Sequence, residues 1–246
     1  MPTRVYAPAL MPDTSSLDLP PDEAAHLARV LRVRPGAVVR VFNGRGFECE
    51  ASVTHVAKHA VSVAVQRVVS AAGECRVRVT LAQAVLKGDK IDEVIRDAVM
   101  LGVAAVQPII TERTDVPGTA FARGGRVERW RRIAVSSAKQ CGRAVVPEVH
   151  APVTLAACLA ADRSDVRVWL AEPAAGEGSG LDALRARPAV SSALVLVGPE
   201  GGWASDEVAG AARSGAMAVT LGRRTLRADA AALVALSVLL HLWGDL

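Results

Sequence analysis

After residue 73 the chain repeats one pattern, in which a short apolar run is followed by a stretch with helical spacing. Five such runs occur: VRVTLAQAV at 77–85, VAAVQPII at 103–110, VRVWLAE at 166–172, ALVLVG at 193–198 and MAVTLG at 217–222. Strands that are apolar throughout and alternate with helices are typical of a parallel sheet covered on both faces. The pattern predicts an α/β domain over residues 73–246.

The first 72 residues have a different character. AVVRVFN and FECEASV flank the dipeptide Asn43-Gly44, and Asn-Gly is a strong signal for a tight turn between two strands. AVSVAVQRVV predicts a further strand, and a short helix is expected at about residues 22–32. We therefore predict a small β-rich domain of the barrel type over residues 1–72.

The net charge of +4 and the pI of about 9.2 permit an anionic partner. The positive charge is concentrated in two segments, a distribution that fits a nucleic-acid footprint, although a solvated helix face is the alternative. The first segment contains Arg29, Arg32, Arg34, Arg40 and Arg45, and the second contains Arg123, Arg126, Arg129, Arg131, Arg132, Lys139 and Arg143.

The cellular setting is predicted from what the pattern lacks. The first 16 residues have no apolar core of a secretory signal, and no apolar run approaches the roughly 20 residues of a membrane helix. The four cysteines are far apart and form no CxxC pair, and His55 and His59 have no nearby carboxylates. We expect a cytoplasmic protein with reduced thiols, no bound metal and no membrane contact.

Three loops follow the apolar runs that end near residues 171, 197 and 221. In an open parallel α/β sheet, ligands bind outside the carboxyl ends of the strands, so three such loops can enclose one small molecule. The sequence has neither a GxGxxG fingerprint after the first strand nor a GxxxxGK[ST] phosphate loop. An ordinary tight turn is the alternative for each loop taken alone.

The middle loop, GPEGGWASDEV from residue 198, is the most specific of the three. Gly198, Gly201 and Gly202 allow positive φ and a close approach of the backbone to a ligand. Ser205 is expected to be the N-cap of the next helix, with acids following in the first turn. Those acids would repel a phosphate, so the loop predicts a neutral or cationic ligand.

The loop, followed by LGRRTLRADAA, resembles the paired C-terminal motifs of the SPOUT methyltransferases. The closer resemblance is to the RsmE family, which methylates N3 of a uridine in 16S rRNA. HLARVLRVRPGAVVRVFNGRG resembles the family's N-terminal PUA-like module. The central signatures also occur here in the same order, as LAQAVLKGDKIDEVIRDAVMLGV, PIITERT and ERWRRIAVSSAKQCGRAVVPEV.

The resemblance implies S-adenosylmethionine as the methyl donor, a deep trefoil knot over about residues 195–246, and a homodimer. It places the cofactor on three loops, held largely by backbone groups. The residues implied are Leu170, Ala171, Glu172, Val197, Gly198, Pro199, Glu200, Gly201, Gly202, Leu221, Gly222, Thr225, Leu226 and Arg227.

For catalysis, Arg227 is the candidate cation that stabilises an oxyanion on the uracil, and a salt bridge within the dimer is its alternative role. Asp229 is the candidate base, with a role as a helix N-terminal acid as the alternative. The residues expected to contact the 16S rRNA of the small ribosomal subunit are Arg4, His26, Arg29, Arg32, Arg113, Gln140 and Arg143.

The chain departs from the family pattern at two places. Met100 occupies the position of a carboxylate in the family's ELGV element, and Ala228-Asp229-Ala230-Ala231 occupies that of a Thr-Glu-Thr-Ala run. Two alternatives to uridine-N3 methylation therefore stay open. One is a SPOUT methyltransferase acting on another RNA position, such as a ribose 2′-OH of tRNA; the other is a non-catalytic RNA-binding ribosome-assembly factor.

Overall fold

The computed structural model describes residues 2–58, 60–116, 125–173, 180–187 and 190–246. The chain divides into two compact units. Unit 1 consists of Met1–Glu74 and Val135–Val146, and unit 2 of Cys75–Ala134 and Pro147–Leu246. The predicted N-terminal domain therefore lies in unit 1, which also recruits a segment from the middle of the chain.

Unit 1 is built on a five-stranded sheet in the order β1-β3-β4-β5-β2. Its elements are β1 (Thr3–Tyr6), β2 (Ser16–Asp18), α1 (Pro21–Ala25), a π-helical turn (His26–Val30), β3 (Val38–Phe42), β4 (Glu48–Val56) and β5 (Val61–Val68). β1 pairs with β3 in parallel and the other pairs are antiparallel. One face of the sheet packs on α1 and the π-helical turn in a single apolar core.

The predicted turn at Asn43-Gly44 is confirmed. The Asn43 side chain organises it, because its Oδ1 accepts hydrogen bonds from the backbone N–H groups of Arg45 (2.8 Å) and Phe47 (3.2 Å). An Asn side chain that bonds the backbone two residues ahead is a common way of stabilising a tight turn. β3 and β4 pair across this turn with Phe42 opposite Glu48.

Unit 2 contains a parallel sheet, as predicted. Its strands are β6 (Arg78–Ala84), β7 (Ala105–Ile110), β8 (Glu148–Val149), β9 (Val153–Thr154), β10 (Val166–Leu170), β11 (Ser192–Val197) and β12 (Met217–Val219). Their order is β12-β10-β11-β6-β7-β8, with β9 also paired to β7. Because β12, β10 and β11 are neighbours and parallel, the loops that follow them all leave the sheet at the carboxyl ends of the strands.

Helices cover both faces of this sheet. They are α2 (Lys90–Leu101), α3 (Gly125–Cys141), α4 (Leu155–Ala161), α5 (Leu181–Arg185), α6 (Ser205–Arg213) and α7 (Ala228–Leu242). α4 and α6 pack on one face through an apolar cluster that includes Leu155 and Ala211, while α7 packs on α2 and β11. No helix in the described part of the chain is long and apolar enough to cross a membrane.

The boundary between the units falls inside α3, between Ala134 and Val135. In unit 1, the end of α3 lies against β1. The Arg4 guanidinium donates hydrogen bonds to the carbonyl oxygens of Ala138 (2.7 Å), Lys139 (2.8 Å) and Arg143 (2.9 Å). The Ala138 and Lys139 carbonyls lie in the last turn of α3, where carbonyls lack partners within the helix, and the Arg143 carbonyl lies two residues beyond it, so Arg4 caps the end of α3.

Candidate active site

A cavity of about 310 Å³ lies at the carboxyl ends of β10, β11 and β12. Three loops enclose it, as the sequence predicted, and most of the predicted cofactor residues line it. Those that do are Leu170, Ala171, Glu172, Val197, Gly198, Pro199, Glu200, Gly202, Leu221, Thr225, Leu226 and Arg227. The three loops are therefore brought together in one site of unit 2.

Two of the predicted residues, Gly201 and Gly222, do not line the cavity. The Gly201 carbonyl accepts a hydrogen bond from Arg113 Nη1 (3.0 Å), and a Cβ added at Gly201 would lie 3.1 Å from the Arg113 Cβ. Gly201 therefore faces Arg113, and bulk added there would strike Arg113 before it reached a ligand. A Cβ at Gly222 would meet nothing within 4 Å.

Gly202 is the glycine of the middle loop whose conformation requires a glycine. Its φ is +69°, in the region that L side chains rarely adopt. A Cβ at this position would lie 2.5 Å from Glu172 Oε1, a side chain that also lines the cavity. Of the three glycines that allow positive φ, Gly202 alone adopts it.

Sequence reasoning missed five lining residues: Pro173, Trp203, Arg224, Ala228 and Ala231. Trp203 is the most informative, because its indole N–H donates to the Leu170 carbonyl (2.9 Å) and so ties the middle loop to the end of β10. The indole also packs edge-on against Trp169 at 6.4 Å between ring centroids. A tryptophan directly after a glycine pair at a strand end is the signal that could have identified it.

The N-cap of α6 is Ala204 rather than Ser205, which is the first helical residue. Glu207 takes over the capping role that Ser205 was expected to fill. Its Oε2 accepts a hydrogen bond from the Ala204 N–H (3.0 Å) and its Oε1 from the Glu112 N–H (2.8 Å). One carboxylate therefore caps the helix and also fixes the loop that follows β7.

Glu200 ties the middle loop to the loop that follows β6. Its Oε1 accepts hydrogen bonds from Lys90 Nζ (2.9 Å) and from the Lys87 backbone N–H (3.3 Å). Partial burial by itself raises the pKa of Glu200, but these hydrogen bonds more than offset it, so the pKa lies below its ordinary value of 4.5. The charged form of Glu200 therefore stabilises one wall of the cavity.

The two predicted catalytic residues lie together at the start of α7. Arg227 Nε is 3.4 Å from Asp229 Oδ1, and the side chains are 72% and 22% exposed respectively. Asp229 Oδ1 is itself buried and accepts no hydrogen bond from the residues that the structure describes. Arg227 lines the cavity, and so does Ala228 beside Asp229. The site thus combines an exposed arginine that lines the cavity with a carboxylate that pairs with it and does not itself line the cavity.

Comparison with known proteins identifies the family. A model of the RNA methyltransferase domain matches residues 73–240, and a model of the RNA methyltransferase PUA domain matches residues 19–66. The curated ribosomal RNA small subunit methyltransferase E of Synechocystis is 34% identical over 86% of this chain and 68% of its own length. The chain belongs to this methyltransferase E family.

Two solved structures are similar over nearly the whole chain. The methyltransferase E of Neisseria gonorrhoeae, bound to S-adenosylmethionine, is 32% identical with a TM-score of 0.88, and the match covers 99% of this chain and 98% of that one. A methyltransferase of Legionella pneumophila, in complex with the same cofactor, is 31% identical with a TM-score of 0.89, covering 97% of each chain. The α/β fold with an N-terminal PUA domain is therefore confirmed.

Methyltransferase E proteins act on RNA, and the structure separates the predicted RNA-contacting residues into two groups. One group is exposed: His26, Arg29, Arg32, Arg113 and Gln140. Within it, Arg113 also holds the Gly201 carbonyl, so it supports the middle loop of the cavity.

Arg4 belongs to the second group, whose side chains are engaged inside unit 1. Besides capping α3, its guanidinium donates to both carboxylate oxygens of Glu48, at 3.0 and 2.8 Å, and it stacks 4.5 Å from the Phe42 ring centroid. Glu48 is 1% exposed. The structure contradicts the assignment of Arg4 to RNA contact, because all five N–H groups of its guanidinium donate to acceptors within unit 1.

Arg143 is also internal. It is 4% exposed, its Nε donates to Glu74 Oε1 (3.1 Å), and its Nη2 pairs with the second Glu74 oxygen. A buried arginine whose charge is paired offers nothing to a phosphate. The prediction that Arg143 contacts RNA was therefore wrong, and the basic charge counted from the sequence overstates the surface that RNA can reach.

Metal sites were not expected, and the described residues contain no cluster of three or more His, Cys, Asp or Glu side chains arranged to hold a metal ion. His55 is exposed on β4. His59, like Arg123 of the second basic segment and residues 174–179 of the first cavity loop, lies outside the described residues.

Proposed function

We propose that this protein is an S-adenosylmethionine-dependent methyltransferase that methylates N3 of one uridine in the 16S rRNA of the small ribosomal subunit. The observation that carries the proposal is the cavity at the ends of β10, β11 and β12. It has the size of a small-molecule site, and it occurs in a chain whose relatives from Neisseria and Legionella are solved with this cofactor bound.

The residues around the cavity fit the parts of the cofactor. Apolar side chains such as Val197, Leu221 and Leu226 suit the adenine ring. Arg224 suits the carboxylate of the methionine portion. Glu172 and Glu200 suit hydroxyl and cationic groups, and their negative charge favours a sulfonium.

When bound, S-adenosylmethionine supplies a methyl group on a positively charged sulfur. The protein must then help the uracil to lose its N3 proton, since N3–H is a weak acid. Arg227, which lines the cavity and is 72% exposed, is our candidate for stabilising negative charge on the uracil oxygens. Alignment of the attacking nitrogen with the methyl carbon supplies much of the remaining rate.

Asp229 is our candidate for the group that receives the proton. Its Oδ1 accepts no hydrogen bond from the described residues and lies 3.4 Å from Arg227 Nε, so the proposed base and the proposed cation stand side by side. The carboxylate also stands in the first turn of α7, where a negative charge is stabilised by the helix dipole. Asp229→Asn keeps the shape and removes the base, so a large loss of kcat with an unchanged affinity for the cofactor would support the assignment; an unchanged kcat contradicts it.

We also propose that the protein works as a homodimer, with the cofactor loops knotted over about residues 195–246, in the cytoplasm. Support for a dimer comes from α7, which has no charged residue between Ala230 and Leu240, whereas a helix that is apolar all round is normally buried. Val234 on α7 is nevertheless 39% exposed. A second copy of the chain covering this side would account for it.

The dimer proposal is tested with Val234→Arg. The variant should shift the molar mass measured by light scattering towards the monomer, because it places a charge in the proposed interface. Val68→Arg, at another exposed apolar position, is the matched control and should leave the mass unchanged. A monomeric wild-type protein, or a dimeric Val234→Arg variant at low concentration, contradicts the proposal.

A non-catalytic role in ribosome assembly is the second candidate. The observation that favours it is the loss of hydroxyl and carboxylate groups at Met100 and at Ala228 and Ala230, relative to the family pattern. Such a protein would bind rRNA and keep the cavity without using it for transfer.

The deciding experiment incubates the protein with 30S subunits and S-adenosylmethionine labelled in the methyl group. We expect label in 16S rRNA, and S-adenosylmethionine binding measurable by calorimetry. Binding without transfer supports the assembly factor, and absence of binding contradicts both methyltransferase hypotheses. Transfer to tRNA instead of 16S rRNA contradicts the proposed substrate.

A further inference from the structure

In unit 1, the turn after the π-helical residues exposes two adjacent aliphatic side chains. Val30 is 66% exposed and Leu31 is 43% exposed. Single exposed apolar residues are common on protein surfaces and carry no meaning by themselves. Whether Val30 and Leu31 have a function depends on the charges around them and on the backbone that carries them.

The flanking residues are cationic. Arg29, Arg32 and Arg34 are all exposed, and the stretch from His26 to Arg34 contains three arginines and no acid. An apolar pair between like positive charges is a poor surface for packing against another basic protein face. The charge favours an anionic partner, and the apolar side chains favour a partner with flat uncharged groups, which are the two properties of unpaired RNA.

The backbone of the turn is strained at Arg32. Its φ is +51°, and it is the only non-glycine residue with positive φ in the described ranges. Glycine is the residue usually found at a left-handed position after a helix, and an L side chain there costs free energy. Glycine would fit this position without strain, so an arginine there points to a use for its side chain.

The apolar core of unit 1 holds the backbone of this turn in place. Leu27 is fully buried, and Val33 packs against the same apolar core of unit 1. The Leu31 N–H donates to the His26 carbonyl and the Val33 N–H to the Leu27 carbonyl, each at 3.1 Å. The backbone of residues 29–32 is therefore ordered and holds the two apolar side chains at the surface. Little conformational entropy is lost when a partner binds.

We infer that Val30 and Leu31 pack against unpaired bases of the 16S rRNA, while Arg32 neutralises an adjacent phosphate. This inference rests on the proposed action on 16S rRNA and adds how the RNA is contacted. Aliphatic side chains inserted against bases are an established mode of nucleic-acid binding. They are well suited to a chain whose aromatic content is 3%, since few rings are available for stacking.

The test compares binding to 30S subunits over a range of salt concentrations. Val30→Ser combined with Leu31→Ser should weaken binding about five- to tenfold at every salt concentration, since base packing is not electrostatic. Arg32→Gln should instead lower the slope of log affinity against log salt by about one, because one phosphate contact is lost. Val68→Ser, at a residue that is 64% exposed in the same unit, is the control and should bind normally.

Arg32→Gly separates a functional side chain from a structural one. Glycine relieves the positive φ, so the melting temperature should stay the same or rise, while RNA affinity falls as it does in Arg32→Gln. A variant that loses stability and affinity together would show that Arg32 only supports the turn, and would contradict the assigned contact.

The outcomes separate this inference from the proposed function. A wild-type protein that neither binds nor methylates 30S subunits overturns the proposed function. A wild-type protein that does both, with a Val30→Ser/Leu31→Ser variant that does both equally well, overturns the inference alone. A double variant with altered molar mass would assign the pair to contact with a second copy of the chain, which also contradicts RNA packing.

Discussion

The cavity of unit 2 and the turn at residues 29–32 of unit 1 each contain a residue with positive φ, but the two residues are of opposite kinds. At the cavity the left-handed residue is Gly202, where any side chain would meet Glu172. At the turn it is Arg32, where a side chain is kept despite its cost. Gly202 thus stands where a side chain would collide with the wall of the cavity, and Arg32 stands where a side chain is exposed to solvent.

The arginines of unit 1 show the same division between internal and external use. Arg4 is bound to Glu48 and to carbonyls at the end of α3, whereas Arg32 extends into solvent. Both were predicted to contact RNA, although only Arg32 lies in a basic run of the sequence. Only the partners of a side chain reveal which of the two uses it has.

The largest expected effect is at Arg4. Arg4→Met leaves Glu48 charged, 1% exposed and unpaired, so the free energy of opening of β3 and β4 should fall by about 3–5 kcal/mol. Hydrogen exchange at the amides of these strands measures it. The control is Arg67→Met, which removes an exposed pair with Glu50 and should cost less than about 1 kcal/mol. Equal losses in the two variants contradict the internal role of Arg4.

A second test concerns the glycine of the cavity. Gly202→Ala should weaken S-adenosylmethionine binding by about tenfold or more, since it strains the loop and pushes the Glu172 carboxylate into new space. Gly215→Ala has the same kind of strain at φ +78°, with nothing within 4 Å of the added Cβ. Calorimetry should therefore show normal cofactor affinity for Gly215→Ala, and a similar loss in both variants would mean that strain alone matters.

The smallest expected effect is at Glu200. Its pKa is lowered in the folded protein, so its stabilising contribution is complete above its ordinary pKa of 4.5 and is lost as the pH falls through the folded value. Glu200→Gln should cost about 1 kcal/mol at pH 7 and flatten the dependence of stability on pH below 4.5. Denaturant titrations between pH 3 and pH 7 measure this. An identical pH dependence in wild type and variant contradicts the role of the charged carboxylate.

The sheet of unit 2 could be predicted because its signal is local. Each strand is an apolar run of its own, and the rule that ligands bind at the carboxyl ends of parallel strands then places three loops at one cavity. Family motifs added the cofactor and the reaction. None of these predictions requires knowledge of contacts between residues that are distant in sequence.

Other features depend on tertiary contacts and could not be predicted. The segment Val135–Val146 joins unit 1 because Arg4 caps it, and Arg143 is buried because Glu74 pairs with it. Within the middle loop, Gly201 and Gly202 are adjacent in sequence, yet one faces Arg113 and the other faces Glu172. The cap of α6 lies one residue earlier than expected because Glu207, rather than a serine hydroxyl, satisfies the helix end.

The central claim is that the cavity serves methyl transfer to N3 of a uridine in 16S rRNA. It is tested most directly by digesting 16S rRNA from a completed reaction to nucleosides and identifying the methylated product by chromatography and mass spectrometry against standards. We expect 3-methyluridine at one position with the wild type, and slower formation of it by Gly202→Ala at low S-adenosylmethionine concentration. A 2′-O-methylated ribose, a methylated base other than uracil, or no methylated nucleoside would contradict it.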